Sequence, residues 1–397
     1  MNVVITITGA NDAPSAGADQ TGAVTEDAST ATATGTVAGT DADDSASLSY
    51  TPSTTSGTYG SIAFSGASWT YTLDNSDADT TALDAGDTVT DTFTVTVSDN
   101  TAQDTMDIVI TITGANDAPD AGAAQTGSVT EDASTSTATG TVAATDADAS
   151  ASLQYSASNS GSGTYGSIAF SGASWTYTLD NTDSDTNALA AGASVSDAFT
   201  VTVTDGTLSD TMTITVGITG ANDAPSFSTS GVTSATEDSA YSYTAQASDV
   251  DTGDTVTVAV TSSTCPSWAT CSGASISGTP TNSDIGSYSV DITATDGTAT
   301  TTQSFTIVVA PTNDAPTIDS TAVTTATEDA VYTYTLVASD VDGDTLTMGS
   351  TDVPSWLTFN AATGVLTGTP LNANVGTSGN DVTLTVTDNQ VTVTQTF

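Results

Sequence analysis

The sequence predicts an all-β protein, built as a tandem array of four antiparallel β-sandwich domains. Residues 106–211 repeat residues 1–105 almost line for line, and the remainder holds two shorter copies that are related to each other. Segments such as 92–97 and 383–387 alternate apolar residues with Thr at period two, as strands with one buried face do. Clusters of Gly, Asp, Asn and Pro separate such segments at roughly the 8–12-residue spacing of sandwich folds.

Each copy opens with the same stretch, Asn-Asp-Ala-Pro followed by Thr-Glu-Asp. The Glu lies 15 residues after the Asn in every copy, and the chain uses Glu nowhere else. We take each of these Asn residues as the start of a domain. The chain then divides into a leading segment, 1–10, and the domains 11–115, 116–221, 222–312 and 313–397.

The two ends of the sequence are also related to the repeats. Residues 1–12 match residues 106–117, which predicts that 1–10 form the last strand of a preceding domain or of a domain in a neighbouring subunit. Residues 394–397 match 302–305, and the fourth domain is expected to lack its final strand. Two interpretations remain open. The chain is a window on a longer array with flanking repeats, or copies join head to tail by strand addition.

The charge of the chain restricts its chemistry. There are 47 acidic residues and no Lys, Arg or His, so clustered carboxylates must be solvated, protonated or bound to metal. Nucleic acids and anionic membranes are not expected as partners. Catalytic triads, Schiff bases, phosphate clamps and zinc sites all need residues that the chain lacks. No apolar run has the length of a membrane span, so membrane insertion is not expected.

The two cysteines, Cys265 and Cys271, flank the short segment 266–268, Pro-Ser-Trp. A disulfide closing this small loop is typical of an extracellular chain. The alternative is a pair of free thiols in a reducing compartment.

Acidic residues recur at three further fixed places in each copy: an Asp-x-Asp pair, the linker Asn-Asp and an Asp that ends a late strand. An Asp-x-Asp pair on extended backbone places both carboxylates on one side. Together with a Glu that can bind through both oxygens, this all-oxygen set suits a hard cation with 6–8 ligands, calcium before magnesium. The alternative is a set of solvated loop residues that form Asx-turns and aid solubility.

This arrangement of Glu, Asp-x-Asp, linker Asn-Asp and late-strand Asp resembles cadherin-type repeats. Residues 11–221 resemble bacterial VCBS-type repeats, whose boundary phrase is similar to Ile7-Thr-Gly-Ala-Asn-Asp-Ala-Pro14. Residues 222–397 resemble the dystroglycan-type cadherin-like module through the segments 354–359 and 363–370. The resemblance implies Ig/cadherin-like sandwiches in an elongated array, located outside the cell or on its surface, with several calcium ions at the interdomain junctions.

The resemblance also implies which residues bind calcium at each junction. The first junction would use Glu26, Asp84 or Asp87, Asn116, Asp117, Asp146, Asp148 and Asp205. The second would use Glu131, Asn222, Asp223, Asp249, Asp251 and Asp296. The third would use Glu237, Asp284, Asn313, Asp314, Asp340, Asp342 and Asp388. At the ends, Asn11, Asp12, Asp41, Asp43 and Asp99 lack an upper partner, and Glu328 lacks a lower one. Because segment 189–193 carries no acid where 83–87 carries two, fewer or weaker ions are expected at the second junction.

Three classes of function remain to be distinguished. The first is an extracellular structural or adhesive stalk, or a filament segment, whose sandwiches calcium makes rigid. The second is an adhesin module that binds a carbohydrate or a cell-surface protein through its loops. The third is an enzyme such as a two-carboxylate glycosidase. We favour the first, a non-enzymatic protein whose partners are calcium and either other copies of itself or flanking repeats.

Overall fold

The computed structural model describes residues 1–376 and 381–397. They form two compact units, Met1–Ala221 and Asn222–Phe397, and each unit contains two β-sandwiches. We number the sandwiches 1 to 4 along the chain. The predicted all-β fold is confirmed, because strands account for nearly all of the regular structure. Within the described ranges, no helix is long and apolar enough to cross a membrane.

Sandwich 1 pairs a four-stranded sheet with a three-stranded one. Its elements are β1 (Gln20–Thr25), β2 (Thr32–Thr36), β3 (Ser49–Pro52), β4 (Gly60–Ser65), β5 (Ser68–Leu73), α1 (Ala78–Thr81), β6 (Thr88–Ser98) and β7 (Gln103–Thr113). The sheet orders are β1-β7-β6-β3 and β2-β5-β4. All pairs are antiparallel except β1 and β7, which run parallel.

Sandwich 2 repeats this arrangement. Its elements are β8 (Gln125–Thr130), β9 (Thr137–Thr141), β10 (Gln154–Ala157), a 3₁₀ turn (Ser158–Gly161), β11 (Gly166–Ser171), β12 (Ser174–Leu179), β13 (Ser194–Thr204) and β14 (Ser209–Thr219). The sheets are β10-β13-β14-β8 and β11-β12-β9, and β8 runs parallel to β14.

Sandwich 3 has shorter strands and a third, two-stranded sheet. Its strands are β15 (Ser226–Phe227), β16 (Ser234–Thr236), β17 (Tyr241–Thr244), β18 (Ala247–Ser248), β19 (Thr257–Val260), β20 (Ala269–Ser272), β21 (Ser275–Gly278), β22 (Gly286–Thr295) and β23 (Thr300–Ala310). Two 3₁₀ turns cover Ser262–Thr264 and Asn282–Asp284. The sheets are β16-β23-β22-β19, β17-β21-β20 and β15-β18, with β16 parallel to β23.

Sandwich 4 follows the plan of sandwich 3 with one difference in its larger sheet. Its strands are β24 (Thr317–Ile318), β25 (Tyr332–Thr335), β26 (Ala338–Ser339), β27 (Thr347–Asp352), β28 (Leu357–Asn360), β29 (Val365–Gly368), β30 (Thr383–Thr387) and β31 (Thr392–Thr396), with a 3₁₀ turn at Asn372–Asn374. Its sheets are β27-β30-β31, β25-β29-β28 and β24-β26. Over the described residues, nothing in it corresponds to β16.

The alternating sequence pattern places the core between the two sheets. In β6, Phe93, Val95 and Val97 are fully buried, whereas the Thr residues between them are exposed or half-buried. Successive strand residues point to opposite faces, so the apolar residues form one wall of the core. Trp69 packs in this core with its ring against Gly35, where a Cβ atom would lie 2.5 Å from the ring. Only Gly can occupy that position without displacing the Trp.

Each sandwich of the first unit also buries a carboxylate inside its core. Asp91 is 4% exposed and accepts hydrogen bonds from the Tyr71 hydroxyl (2.8 Å) and the backbone amides of Thr58 (2.9 Å) and Tyr59 (3.2 Å). Asp197 has the same three kinds of donor in sandwich 2. The acidic oxygens are thus satisfied without a cation, and these residues serve the fold.

In sandwich 3 the two cysteines are joined. Cys265 and Cys271 form a disulfide that closes the loop carrying Trp268, whose ring packs edge-on against Tyr241 and Tyr288. The disulfide ties the end of this loop to strand β20, so the half-buried Trp is held against the core.

We predict that Asp91→Asn destabilises sandwich 1 by about 1–3 kcal/mol, the usual cost of leaving a buried donor unpaired. An Asn amide can accept through one oxygen only, and its NH₂ group would face one of the three donors. Urea unfolding of this variant should be compared with Asp79→Asn, which removes the same charge at an exposed position. Equal free energies of unfolding for the two variants would contradict this role.

Candidate metal centre

In sandwiches 1 to 3, the Glu of the opening stretch lies where the first strand of the larger sheet ends. Glu26 directly follows β1, and its amide donates to the Thr113 carbonyl (2.9 Å) at the end of the parallel strand β7. Its Oε2 accepts a hydrogen bond from the Ala115 amide (3.0 Å). Parallel pairing therefore places the Glu side chain beside the start of the linker to sandwich 2, and the residue is 2% exposed.

The linker residues Asn116 and Asp117 are held by loops of sandwich 2. Asn116 Nδ2 donates to Asp205 Oδ2 (2.8 Å), and the Asp117 amide donates to Asp148 Oδ2 (2.9 Å). The Asp148 amide in turn donates to Asp146 Oδ1 (3.1 Å). The Asp-x-Asp pair, the late-strand Asp and the linker thus form one connected network.

Four carboxylates at this junction keep one oxygen that is buried and receives no hydrogen bond. These atoms are Glu26 Oε1, Asp117 Oδ2, Asp146 Oδ2 and Asp148 Oδ1. Burial, followed by the charges of neighbouring acids, raises the pKa of Glu26, Asp117 and Asp148. Buried carboxylate oxygens need a proton or a cation, and the chain has no basic side chain to supply one. The donor set consists only of oxygens, so it fits a hard cation such as calcium.

Asp84 connects the two sandwiches of the first unit directly. Its Oδ1 accepts a hydrogen bond from the Ser150 amide (3.0 Å) in the Asp-x-Asp loop of sandwich 2, and hydrogen bonding to Ser150 lowers the pKa of Asp84. Asp87 is exposed, and the contacts described for it are made by its backbone, with Asp84 and Gly114. The structure therefore brings Asp84 to the junction and leaves the Asp87 side chain outside the network.

Sequence reasoning missed Asp27, the residue after the Glu. Its backbone is left-handed (φ 54°), as it is at Asp132, Asp238 and Asp329. Its charge contributes to the raised pKa of both Glu26 and Asp117, so it faces the same group of acids. The signal was present in the sequence, because Asp follows Glu in all four copies and Asp tolerates this backbone conformation.

The second unit contains an equivalent group. Glu237 is 1% exposed, and its Oε2 accepts from the Thr312 amide (3.2 Å). The Asp314 amide donates to Asp342 Oδ2 (2.7 Å). Glu237, Asp314 and Asp342 each place one carboxylate oxygen within 4.8 Å of the others. Burial and the charge of Asp238 raise the pKa of Asp314, which is the electrostatic pattern of the first junction again.

Three further residues of the third set, Asn313, Asp340 and Asp388, take part in the same hydrogen bonds as their counterparts at the first junction. Asn313 Nδ2 donates to Asp388 Oδ2 (2.9 Å), and the Asp342 amide donates to Asp340 Oδ1 (2.9 Å). Asp284 instead caps its own turn by accepting from Thr281. The residue of that turn that reaches sandwich 4 is Asn282, whose Nδ2 donates to Asp342 Oδ1 (2.7 Å). An amide at this place was not expected from the sequence.

The residues of the second set fall in both units. In the first unit, Glu131 is buried and accepts from the Ala221 amide (3.1 Å). In the second unit, Asn222 Nδ2 donates to Asp296 Oδ2 (3.0 Å), and the Asp223 amide donates to Asp251 Oδ2 (2.9 Å). Asp251 also groups with Asp249 and Asp254, with one oxygen of each within 4.8 Å of the others.

At each end of the chain only one half of a junction network is present: the linker and Asp-x-Asp residues of sandwich 1, and the Glu of sandwich 4. Asn11 Nδ2 donates to Asp99 Oδ2 (2.9 Å), the Asp12 amide to Asp43 Oδ2 (3.0 Å), and the Asp43 amide to Asp41 Oδ1 (2.8 Å). Glu328 is exposed, in contrast to the other three Glu residues. The half that begins with Asn11 therefore keeps its hydrogen bonds without the other half, whereas Glu328 does not share the burial of its counterparts.

Fold and site together define a protein of tandem β-sandwiches whose ends carry acidic, oxygen-only sites. The family description "bacterial cadherin-like domain" matches residues 11–114 and 116–220, which is more than half of the chain. The chain therefore belongs to the bacterial cadherin-like domain family. The description "putative Ig domain" matches residues 224–310 and 315–397.

Solved cadherin structures share this fold. The extracellular cadherin domains 1–5 of protocadherin gamma B2 superpose with a TM-score of 0.53 at 18% identity, covering 97% of this chain and 80% of that one. The extracellular domain of protocadherin gamma B4 gives 0.50 at 17% identity, covering 98% and 67%. No curated protein sequence matches this chain.

The pKa shifts predict how the metal-free protein responds to pH. Glu26, Asp117 and Asp148 have raised pKa values, so the folded state binds more protons than the unfolded chain above about pH 4. The free energy of unfolding should therefore fall as the pH rises from about 4.5 to 7. Hydrogen bonds lower the pKa of Asp99 and Asp205, which removes stability only as the pH falls below about 4. Denaturant unfolding of calcium-depleted protein measures this profile, and stability that rises between pH 4.5 and 7 would contradict it.

Proposed function

We propose that this chain is an extracellular structural or adhesive stalk whose sandwiches are clamped to one another by calcium. The observation that carries the proposal is the set of buried, unbonded carboxylate oxygens at the junction in the first unit, in a chain with no cationic side chain. A bound divalent cation would neutralise acids contributed by sandwich 1, the linker and sandwich 2 at the same time. Membership of the cadherin-like family supports this function.

The proposed ligands at this junction are those implied by the resemblance that the structure brings together, with Asp27 added and Asp87 left out. They are Glu26, Asp27, Asp84, Asn116, Asp117, Asp146, Asp148 and Asp205. The corresponding set in the second unit is Glu237, Asp238, Asn313, Asp314, Asp340, Asp342 and Asp388, without Asp284, which caps its own turn. When bound, calcium supplies the positive charge that joins these acids, and the protein's own hydrogen bonds hold the linker in place.

The use of Glu at one position follows from this geometry. Glu26 directly follows the last paired residue of β1, and one of its carboxylate oxygens already accepts a hydrogen bond from the Ala115 amide. In this proposal the longer side chain lets the second oxygen reach a cation shared with the linker acid, while the first oxygen keeps its hydrogen bond. Asp has one methylene less and would have to give up one of the two contacts.

Some finer features also belong to the proposal. We assign residues 11–221 to the VCBS type and 222–397 to the dystroglycan type, with a location outside the cell. We further propose that the fourth sandwich is completed by a strand, either from flanking repeats of a longer chain or from residues 1–10 of another copy. Both routes give a continuous array, in keeping with a stalk or filament.

Glu26→Gln gives the sharpest test of the metal site. Removing this charge relieves repulsion in the metal-free protein, so its melting temperature should rise, whereas the stabilisation by calcium should fall. Calcium affinity at this junction should drop at least about tenfold, since even residues that only support metal ligands contribute roughly 10–100-fold. Calorimetric titration and thermal unfolding with and without calcium measure both effects.

Two control variants separate the effect of the charge at position 26 from the effect of the side-chain length. Glu26→Asp keeps the charge and should still lose affinity, whereas Asp79→Asn, at an exposed site, should change neither quantity. A loss of stability in Glu26→Gln that is the same with and without calcium would show a purely structural role and overturn the metal assignment.

Chelation should loosen the array as a whole. With calcium at 100 times its Kd, each site stabilises the folded state by about 2.7 kcal/mol, and this is lost when the metal is removed. Repulsion between the unneutralised acids should then let the sandwiches swing about their linkers. Small-angle scattering should show a broader distribution of sizes after chelation. An unchanged scattering profile would falsify the clamp.

A further inference from the structure

The junctions inside the two units differ in a side chain that reaches from one sandwich to the next. In the first unit it is an acid, since Asp84 of sandwich 1 accepts a hydrogen bond from the Ser150 amide of sandwich 2 (3.0 Å). In the second unit it is a neutral amide, since Asn282 Nδ2 of sandwich 3 donates to Asp342 Oδ1 of sandwich 4 (2.7 Å). The second contact therefore gives a donor to the Asp-x-Asp pair, and the first does not.

The oxygen that Asn282 contacts corresponds to one that stays unbonded at the first junction. Asp342 is the counterpart of Asp148, and in both residues Oδ2 accepts a hydrogen bond from a linker amide, at 2.7 Å and 2.9 Å. Oδ1 of Asp148 is buried and receives no hydrogen bond, whereas Oδ1 of Asp342 accepts one from Asn282. A buried carboxylate oxygen needs a donor or a cation. Asn282 supplies that donor from within the chain.

The loop that Asn282 contacts carries one acid more than its counterpart in sandwich 2. Asp344 stands where sandwich 2 has Ser150, and it groups with both acids of the Asp-x-Asp pair, with one oxygen of each within 4.8 Å of the others. An acid from sandwich 3 would be repelled by this group, whereas a neutral amide donor is attracted to it. Asp284, the acid of the same turn, accepts hydrogen bonds from the residue that precedes the turn. The turn therefore presents its amide, and not its acid, to sandwich 4.

A second amide holds the linker of the second unit. Asn313 Nδ2 donates to Asp388 Oδ2 (2.9 Å), and Asn313 Oδ1 accepts a hydrogen bond from Gln390 Nε2. Sandwich 2 has Thr207 where sandwich 4 has Gln390. The Asn that begins sandwich 4 is thus held through both of its polar side-chain atoms.

We propose that Asn282 and Gln390 keep the junction of the second unit closed without a cation, so that the two junctions open at different calcium concentrations. This difference rests on the proposed function, because it requires a cation at the first junction. There the unbonded acid oxygens have no donor within the chain, and removal of the cation leaves them to repel one another. In the second unit the amides do part of the same work, so a cation adds less and binds more weakly. Asn282 acts through Asp342 and is a positioning residue, not a metal ligand.

The consequence is a fixed order of opening. As calcium falls, sandwiches 1 and 2 become free to move against each other while sandwiches 3 and 4 still hold together. A chain of this kind responds to a small fall in calcium with one flexible joint instead of a general loosening.

Spin-label distances measured by double electron–electron resonance test the proposal on the 397-residue chain. Both native cysteines are in the disulfide, so labels attach only to introduced cysteines. Ser65→Cys with Ser171→Cys labels equivalent exposed positions of sandwiches 1 and 2. Ser242→Cys with Thr333→Cys does the same for sandwiches 3 and 4. On chelation, the distance distribution of the first pair should broaden, and that of the second pair should stay narrow.

Variants of Asn282 identify the cause. Asn282→Ala should increase the open population of the second pair in chelator about 10- to 100-fold, the effect of losing one hydrogen bond to a charged group, and calcium should close it again. Asn282→Asp should also be broad in chelator and narrow in calcium, because an acid can share a cation with Asp342 but cannot donate to it. Gln390→Thr, which introduces the residue of sandwich 2, should add to the effect of Asn282→Ala. Asn372→Ala changes the same position in the equivalent turn of sandwich 4 and should leave the second pair narrow.

Each other outcome has a definite meaning. Broadening of both pairs to the same extent in the unsubstituted chain would overturn the proposal. A second pair that stays narrow in chelator after Asn282→Ala, or Asn282 variants whose broadening is the same with and without calcium, would show that Asn282 does not replace a cation. A first pair that does not broaden on chelation would instead refute the calcium clamp of the proposed function, and the difference between the junctions with it.

Discussion

The structure depends on one constraint: its acidic side chains repel one another, and the chain has no basic side chain to neutralise them. A chain of this charge cannot form ion pairs, so its acids are kept apart, hydrogen-bonded, or gathered where a mobile cation can reach them. All three solutions are present. Scattered acids such as Asp79 face solvent, and Asp91 accepts hydrogen bonds from three donors. The acids at the junctions are packed together, and several of their buried oxygens accept no hydrogen bond. In the proposed function, the last group makes interdomain order depend on a bound cation.

The fold was readable from the sequence because its strongest signals are local and repeated. Alternation between Thr and apolar residues identifies strands such as β6 and β30, and the repeats identify which segments are equivalent. The pairing of β1 with β7 was not readable, since parallel contacts join residues far apart in sequence. The buried Asp91 was also missed, because its donors come from a loop and from a strand of the opposite sheet, which only the folded chain brings together.

The candidate site was predicted in outline through its repeated spacing, and the details depend on backbone geometry. Asp27 faces the acids of the linker because its residue adopts a left-handed conformation after β1. Asn282 reaches sandwich 4 instead of Asp284, since a short 3₁₀ turn directs its amide outward while the acid caps the turn. Neither outcome is visible in residue types alone, because both are set by one or two dihedral angles.

The parallel contact between the first and last strands of the larger sheet has a mechanical consequence. In sandwich 1 the chain enters through β1 and leaves through β7, and these strands lie side by side and point the same way. Tension applied to the two ends of such a sandwich slides the strands along each other and loads all their hydrogen bonds at once. An antiparallel pair pulled from one end would open bond by bond at much lower force. Each sandwich built in this way should resist stretching as a unit.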